Sequence, residues 1–93
     1  MPAIEKTFYG TSAVNIKSLA LTDAGAVTSV PGLLWGFSSD PSNESIIKDG
    51  GSSGKVIAYA GKNETSMFAK PIEVGTSLYV AKTAGGNIVV YYE

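Results

Sequence analysis

The stretch with the strongest chemical suggestion is Gly50-Gly51-Ser52-Ser53-Gly54-Lys55. Glycines followed by a lysine resemble a phosphate-binding loop, where backbone N–H groups cradle the anion, a lysine reaches it, and a helix N-terminus faces it. Such a loop needs glycine at position 49, where Asp49 stands, and a helix after the lysine, where Val56-Ile57 opens a β-branched strand. The residues are better suited to a hairpin connector, since glycine accepts positive φ and Ser or Asp side chains bond their own backbone.

Other chemistry-bearing groups read the same way. Asp23, Asp40 and Asp49 each lie in a turn and could converge on a calcium ion, but their spacing is not that of an EF-hand, and aspartate is common in turns for its own backbone bonding. Glu44, Glu64 and Glu73 would have to face one another across a cleft to hydrolyse a glycosidic bond, and they are scattered singly between strands. Histidine and cysteine are both absent, which excludes Ser-His-Asp and Cys-His nucleophiles and removes the usual ligands of structural zinc. No catalytic residue, cofactor or metal is expected. Trp35, with Tyr79, Tyr91 and Tyr92, has the composition of a stacking platform for sugar rings; a core tryptophan with edge tyrosines is the simpler reading in so small a domain. Asn43-Glu44-Ser45 and Asn63-Glu64-Thr65 match the glycosylation acceptor pattern and, without a secretion signal, mark only surface loops.

The elements that must position these residues are short strands. Val14, Ile16, Leu19 and Leu21 fall mostly two apart over residues 13–21, Gly25 to Val30 is a β-branched run ended by Pro31-Gly32, and Leu33-Leu34-Trp35-Gly36-Phe37-Ser38-Ser39 alternates. That alternation assigns Leu33, Trp35 and Phe37 to the core face, and Gly36 within it suggests a bulge or a close backbone approach. Ser45 to Tyr59 reads as a hairpin about its Gly-Ser connector. Thr65 to Ala69 is a weak strand that Lys70-Pro71 ends, and Ile72 and Val74 flank Glu73 in the next. The plainest hairpin joins residues 77–82 to 87–92 through Thr83-Ala84-Gly85-Gly86. The terminal strand is apolar on both faces, so it is either central in its sheet or covered by a neighbouring subunit. No stretch keeps helical spacing. About eight short strands with a turn every ~8–12 residues predict an all-β chain: a single small antiparallel β-sandwich or jelly-roll-like barrel over residues 13–93, preceded by an N-terminal arm over residues 1–12.

Length and charge bound the rest. At 93 residues and 9.6 kDa the chain is one small domain, and area scaling gives roughly 63% of the unfolded surface buried, a modest core. Seven lysines, no arginine and eight acidic residues give a net charge of −1 with no basic run, which argues against a nucleic-acid partner. Apolar runs are too short for a membrane span and no signal peptide is evident, so a soluble chain made in the cytosol is expected.

Three groups of residues together carry a likeness: Pro31-Gly32-Leu33-Leu34-Trp35-Gly36; Ile46-Ile47-Lys48-Asp49-Gly50 with Ser53-Gly54-Lys55-Val56-Ile57; and Leu78-Tyr79-Val80 through Gly85-Gly86 to Val89-Val90-Tyr91-Tyr92-Glu93. From residue 30 to residue 93 the chain resembles the capsid decoration (cement) proteins of tailed bacteriophages, small all-β virion proteins. Where that family has Tyr-Asp-Gly at the hairpin, this chain has Lys48-Asp49-Gly50. The resemblance implies a structural protein made in the bacterial cytoplasm and carried on the outer capsid surface, where it clamps neighbouring major capsid protein subunits. It also implies a homo-oligomer, with a trimer the expected order on an icosahedral shell. Pro2, Ile4, Phe8 and Tyr9 of the arm and Tyr91 and Tyr92 of the last strand are the expected capsid or subunit contacts. A glycan- or receptor-binding β-sandwich of a phage fibre or cell surface is the alternative.

Overall fold

The computed structural model describes residues 15–93. The expected arm over residues 1–12, and with it Pro2, Ile4, Phe8 and Tyr9, lies outside the described residues, as does Val14. Eight strands follow: β1 (Lys17–Leu21), β2 (Gly25–Ala26), β3 (Gly32–Ser39), β4 (Glu44–Asp49), β5 (Lys55–Ala60), β6 (Thr65–Val74), β7 (Leu78–Ala84) and β8 (Ile88–Tyr92). They form two four-stranded sheets in the orders β1-β8-β3-β6 and β2-β7-β4-β5, and every adjacent pair is antiparallel. The first strand pairs with the eighth, the second with the seventh, the third with the sixth and the fourth with the fifth. One long antiparallel ribbon has thus been wound into two layers, which is the jelly-roll arrangement of a β-sandwich.

The tip of that ribbon is the β4–β5 hairpin, with Gly50 and Gly51 at positive φ in its connector. Among the described strands it is the only sequential pair that shares a sheet as neighbours. The apparent last hairpin is therefore not one. β7 and β8 lie in different sheets, and the Gly85-Gly86 turn carries the chain across the sandwich. Gly86 takes φ 82°, and a Cβ there would meet the Asp40 carboxylate and the Asn43 amide nitrogen, so the crossing needs glycine.

Among the described residues, nine buried apolar side chains, Leu34, Phe37, Ile47, Ala60, Val74, Leu78, Val80, Ile88 and Val90, fill the space between the layers. β8 supplies two of them and sits between β1 and β3. Its two-faced apolarity is that of a central strand, and no neighbouring subunit is needed to explain it. Phe37 meets Phe68 edge to face at 6.1 Å between centroids, a preferred aromatic geometry.

On β3 the expected alternation fails. The register against β8 and β6 shifts between Leu34 and Gly36, so Leu34 and Phe37 point inward, and Leu33 and Trp35 are half-buried instead of core. A bulge adds one residue to a strand and reverses the faces beyond it. Across this irregularity Phe68 to Pro71 of β6 stand opposite Trp35 alone. Pro71 consequently does not end a strand: β6 runs through it as one ten-residue edge strand, where a missing N–H donor is tolerated. The Gly25–Val30 run is also shorter than expected, because Val27 and Thr28 both turn their N–H groups to the Leu78 carbonyl, at 2.8 and 3.1 Å.

Gly36 lies opposite Met67, and a Cβ there would strike the Ser66 carbonyl oxygen and stand 3.0 Å from the Met67 Cα. Gly36→Ala is expected to cost about 1–3 kcal/mol by forcing β6 away from β3, measured by urea unfolding. An unchanged midpoint would contradict this close approach.

Candidate binding surface

Two outer sheet faces present three of the four aromatic side chains that sequence reasoning singled out, Trp35, Tyr79 and Tyr91. On the β1-β8-β3-β6 face the register sets Tyr91 between Ser18 of β1 and Gly36 of β3, with Met67 beyond it on β6. The next row brings Glu93 against Leu33, through reciprocal backbone bonds of 2.9 Å, and Glu73 against Leu33 from the other side. The β3 bulge places Trp35 over this row, where its Nε1–H donates to Glu93 Oε1 at 3.2 Å. Trp35 and Tyr91 thus share one outer face with Met67, which is 53% exposed. Tyr92 does not join them, because it points inward and packs against the core, and Tyr79 belongs to the other sheet. The structure therefore splits the four-aromatic platform, leaving Trp35 and Tyr91 as its usable part.

The second face, on β2-β7-β4-β5, aligns Tyr79, Lys48 and Val56 in one row and Ala81, Ile46 and Tyr59 in the next. Val56 and Tyr59 are each 54% exposed. The Tyr59 hydroxyl donates to Glu44 Oε2 at 2.7 Å. That bond first, then partial desolvation and the nearby charges of Glu44 and Glu64, raise the phenol above its ordinary range. Sequence spacing gave no sign of the Glu44–Tyr59–Glu64 neighbourhood, since it forms only when the β4–β5 hairpin and the following turn close together.

Two of the three aspartates, Asp40 and Asp49, have structural partners. Asp40 Oδ1 accepts from Ser42 N at 2.9 Å and its Oδ2 accepts from Asn87 N at 2.8 Å, tying the β3–β4 loop to the β7–β8 crossing. Asp49 Oδ2 accepts from Gly75 N at 2.7 Å and its Oδ1 accepts from Thr76 N and Ser77 N, at 2.8 and 3.2 Å, tying the end of β4 to the β6–β7 crossing. Backbone N–H bonds, from Asn87 first in one and Gly75 first in the other, hold both carboxyls below the usual aspartate range. Lys82 plays the cation at the Asp40 end, where its Nζ donates to the Thr22 carbonyl at 2.6 Å and to that of Gly86.

Comparison with family models, curated proteins and solved structures finds no match. What the surface can do must be argued from its own groups. Among the described residues no three His, Cys, Asp or Glu side chains gather as metal ligands. The Gly50–Gly54 connector is closed by its own bonds, Gly54 N to the Gly51 carbonyl at 2.9 Å and Lys48 Nζ to the Ser52 carbonyl at 2.8 Å, and Lys55 begins a strand. It lacks the helix N-terminus that a phosphate loop requires. A shallow cleft of about 340 Å³ lies between the β1–β2 turn and the β7–β8 crossing, lined by Thr22, Asp23, Lys82 and Thr83 among others.

Proposed function

We propose that the chain is a structural virion protein, a decoration module that binds the outer surface of a tailed-phage head as a homo-oligomer and holds neighbouring major capsid protein subunits together. The observation that carries this reading is the display of apolar side chains outside the core. Val30, Val56, Tyr59 and Met67 are each more than half exposed, and Val56 and Tyr59 continue a face with Ile46 and Tyr79. Contiguous exposed apolar patches mark contact surfaces. The wound sandwich supplies a stiff carrier for such faces, and a small core gains stability by mass action when a partner binds only the folded state. The sequence resemblance adds the partner, and the arm residues Pro2, Ile4, Phe8 and Tyr9 remain proposed contacts alongside Tyr91.

The test uses heads assembled without the protein. Adding the purified chain is expected to saturate their surface and raise the temperature of the shell transition in calorimetry. If the chain neither sediments with the heads nor shifts that transition, the reading fails.

A second reading has its own observation. Trp35 lies outside the core on an outer face beside Tyr91, and its ring is oriented by Glu93, a pairing of aromatic face and carboxylate that suits a pyranose ring and its hydroxyls. A glycan array with wild type and a folded Trp35→Ala variant decides it, since specific binding lost in the variant would favour this reading.

A further inference from the structure

Among the described residues each sheet ends in strands whose outer side is unpaired. β2 is two residues long. β6 is interrupted by Pro71 and by four residues standing opposite one. β1 is only five residues long. β5 is the longest uninterrupted edge: Lys55–Ala60 is six residues with no proline and no charge after Lys55. Edges of this kind are the ones that accept another strand.

The side-chain directions on β5 are unusual. Its register against β4 jumps from Val56↔Lys48 to Ala58↔Ile47, so Ile57 and Ala58 both lie against the core while Val56 and Tyr59 on either side of them point out. Reading along the strand, the order is out, in, in, out, and it is the same in both directions. In an antiparallel pair, residues directly opposite share a face. For two copies of β5 only one register satisfies this at all four positions, with Val56 opposite Tyr59 and Ile57 opposite Ala58. Sliding either copy by one residue sets an inward residue against an outward one.

The ends of the strand are complementary as well. Lys55 opens β5, and beyond its other end lie Glu64, whose Oε1 accepts from Gly61 N at 2.8 Å, and Glu44, bound to the Tyr59 hydroxyl. In that register Lys55 of each copy stands opposite Ala60 of the other, next to the Gly61–Glu64 turn and its carboxylate. Lys62 shares that turn and offsets one of the two carboxylates. A net charge of −1 per chain adds little repulsion between copies.

From these observations we propose that two copies of this chain associate about a two-fold axis by antiparallel pairing of their β5 strands, making one eight-stranded sheet with Val56 of each copy against Tyr59 of the other. The contact is isologous and closes on itself. Each Val56–Tyr59 contact is a β-branched and aromatic pair, a favourable cross-strand combination. The inference stands independently of the virion reading, and it specifies a two-fold contact where shell symmetry alone suggests a three-fold.

Full-length chain is examined by light scattering and analytical ultracentrifugation. The expected mass rises with concentration from 9.6 kDa to twice that value, with a dissociation constant on the order of micromolar for so short an interface. Tyr59→Lys, at an exposed position, is expected to weaken the dimer about tenfold or more while the far-UV spectrum and melting curve stay those of a folded chain. Lys55→Glu is expected to weaken it about fivefold, more at low salt than at high. Register is read by oxidation, since the chain contains no cysteine of its own. Val56→Cys with Tyr59→Cys together is expected to give a covalent dimer, and either substitution alone is not. A monomer at every concentration, a trimer, a dimer indifferent to Tyr59→Lys, or single variants that cross-link as well as the double would each overturn the proposal.

Discussion

Phe37→Ala is expected to destabilise the chain by about 3–5 kcal/mol, and Trp35→Ala by about 1 kcal/mol. The contrast is large because the two aromatic rings, two residues apart on β3, do different work. Phe37 is 2% exposed and stands edge to face with Phe68 in the space between the sheets. Truncation there leaves a cavity lined by side chains held in place by both layers, so the loss of transferred area and the loss of packing add. Trp35 is half-buried on the outer face, and its polar contact is one bond to Glu93 at 3.2 Å. A domain of this size has about 5–14 kcal/mol of total stability, so Phe37→Ala removes a large share of it. Urea unfolding of the two variants checks the prediction. Equal losses, or a larger loss for Trp35→Ala, would mean that the β3 bulge is misplaced and the alternating reading of the strand is right.

That contrast also locates where the sequence stops being legible. The strand character of residues 32–39, 44–49, 55–60, 78–84 and 88–92 follows from β-branched and aromatic residues between turn residues, and the β4–β5 hairpin follows from its Gly-Ser connector, because both are local signals. The winding is not local. β1 pairs with β8 across most of the chain, and nothing in Lys17–Leu21 names its partner. Gly85-Gly86 illustrates the same limit: a glycine turn allows a chain to reverse, but whether the next strand lies beside the last or in the opposite layer depends on what the turn packs against, here Asp40 and Asn43. The bulges on β3 and β5 are hidden for a related reason. An alternating pattern assumes a period of two, and one inserted residue reassigns every face beyond it. Gly36 hinted at the first, but the direction of the reassignment, Trp35 outward and Leu34 inward, required the register. Nothing in Val56-Ile57-Ala58-Tyr59 hinted at the second.

The aspartates are a further case in which residue type was informative and role was not. Placing Asp40 in a turn is correct, while Asp49 is the last residue of β4 and pairs with Lys55 and Leu78; each carboxylate also reaches a crossing loop far along the chain, Asn87 for one and Gly75 to Ser77 for the other. These loops carry the chain between layers, so the two side chains fasten the corners of the sandwich from the two ends of β4. Charged acceptors bond backbone N–H groups more strongly than neutral ones, and neutralising them should loosen both corners together.

Acid is therefore expected to unfold the chain in a transition that Asp40 and Asp49 control. Both carboxyls are held below their ordinary value in the folded chain, Asp40 chiefly by Asn87 N–H and Asp49 chiefly by Gly75 N–H. A depressed folded pKa contributes stability that is fully present above the unfolded value, about 3.9 for aspartate, and is lost as pH falls through the folded value. Stability should stay level from neutral pH to about 5 on account of these two groups, then fall below about 4 as the unfolded chain takes up protons that the folded chain resists. Asp40→Asn with Asp49→Asn keeps one acceptor oxygen at each corner, turns the other into an amide that cannot accept from the facing N–H, and removes the charge. The double variant is expected to melt lower than wild type at neutral pH and to lose less on acidification, so that the two melting curves draw together as pH falls through the folded values. Each single variant should lie between them, since the two corners are at opposite ends of β4 and share no partner. Thermal melts from pH 7 to pH 2 measure this. Parallel curves for wild type and the double variant would show that the acid transition belongs to other carboxylates and that the two corners hold without their charge.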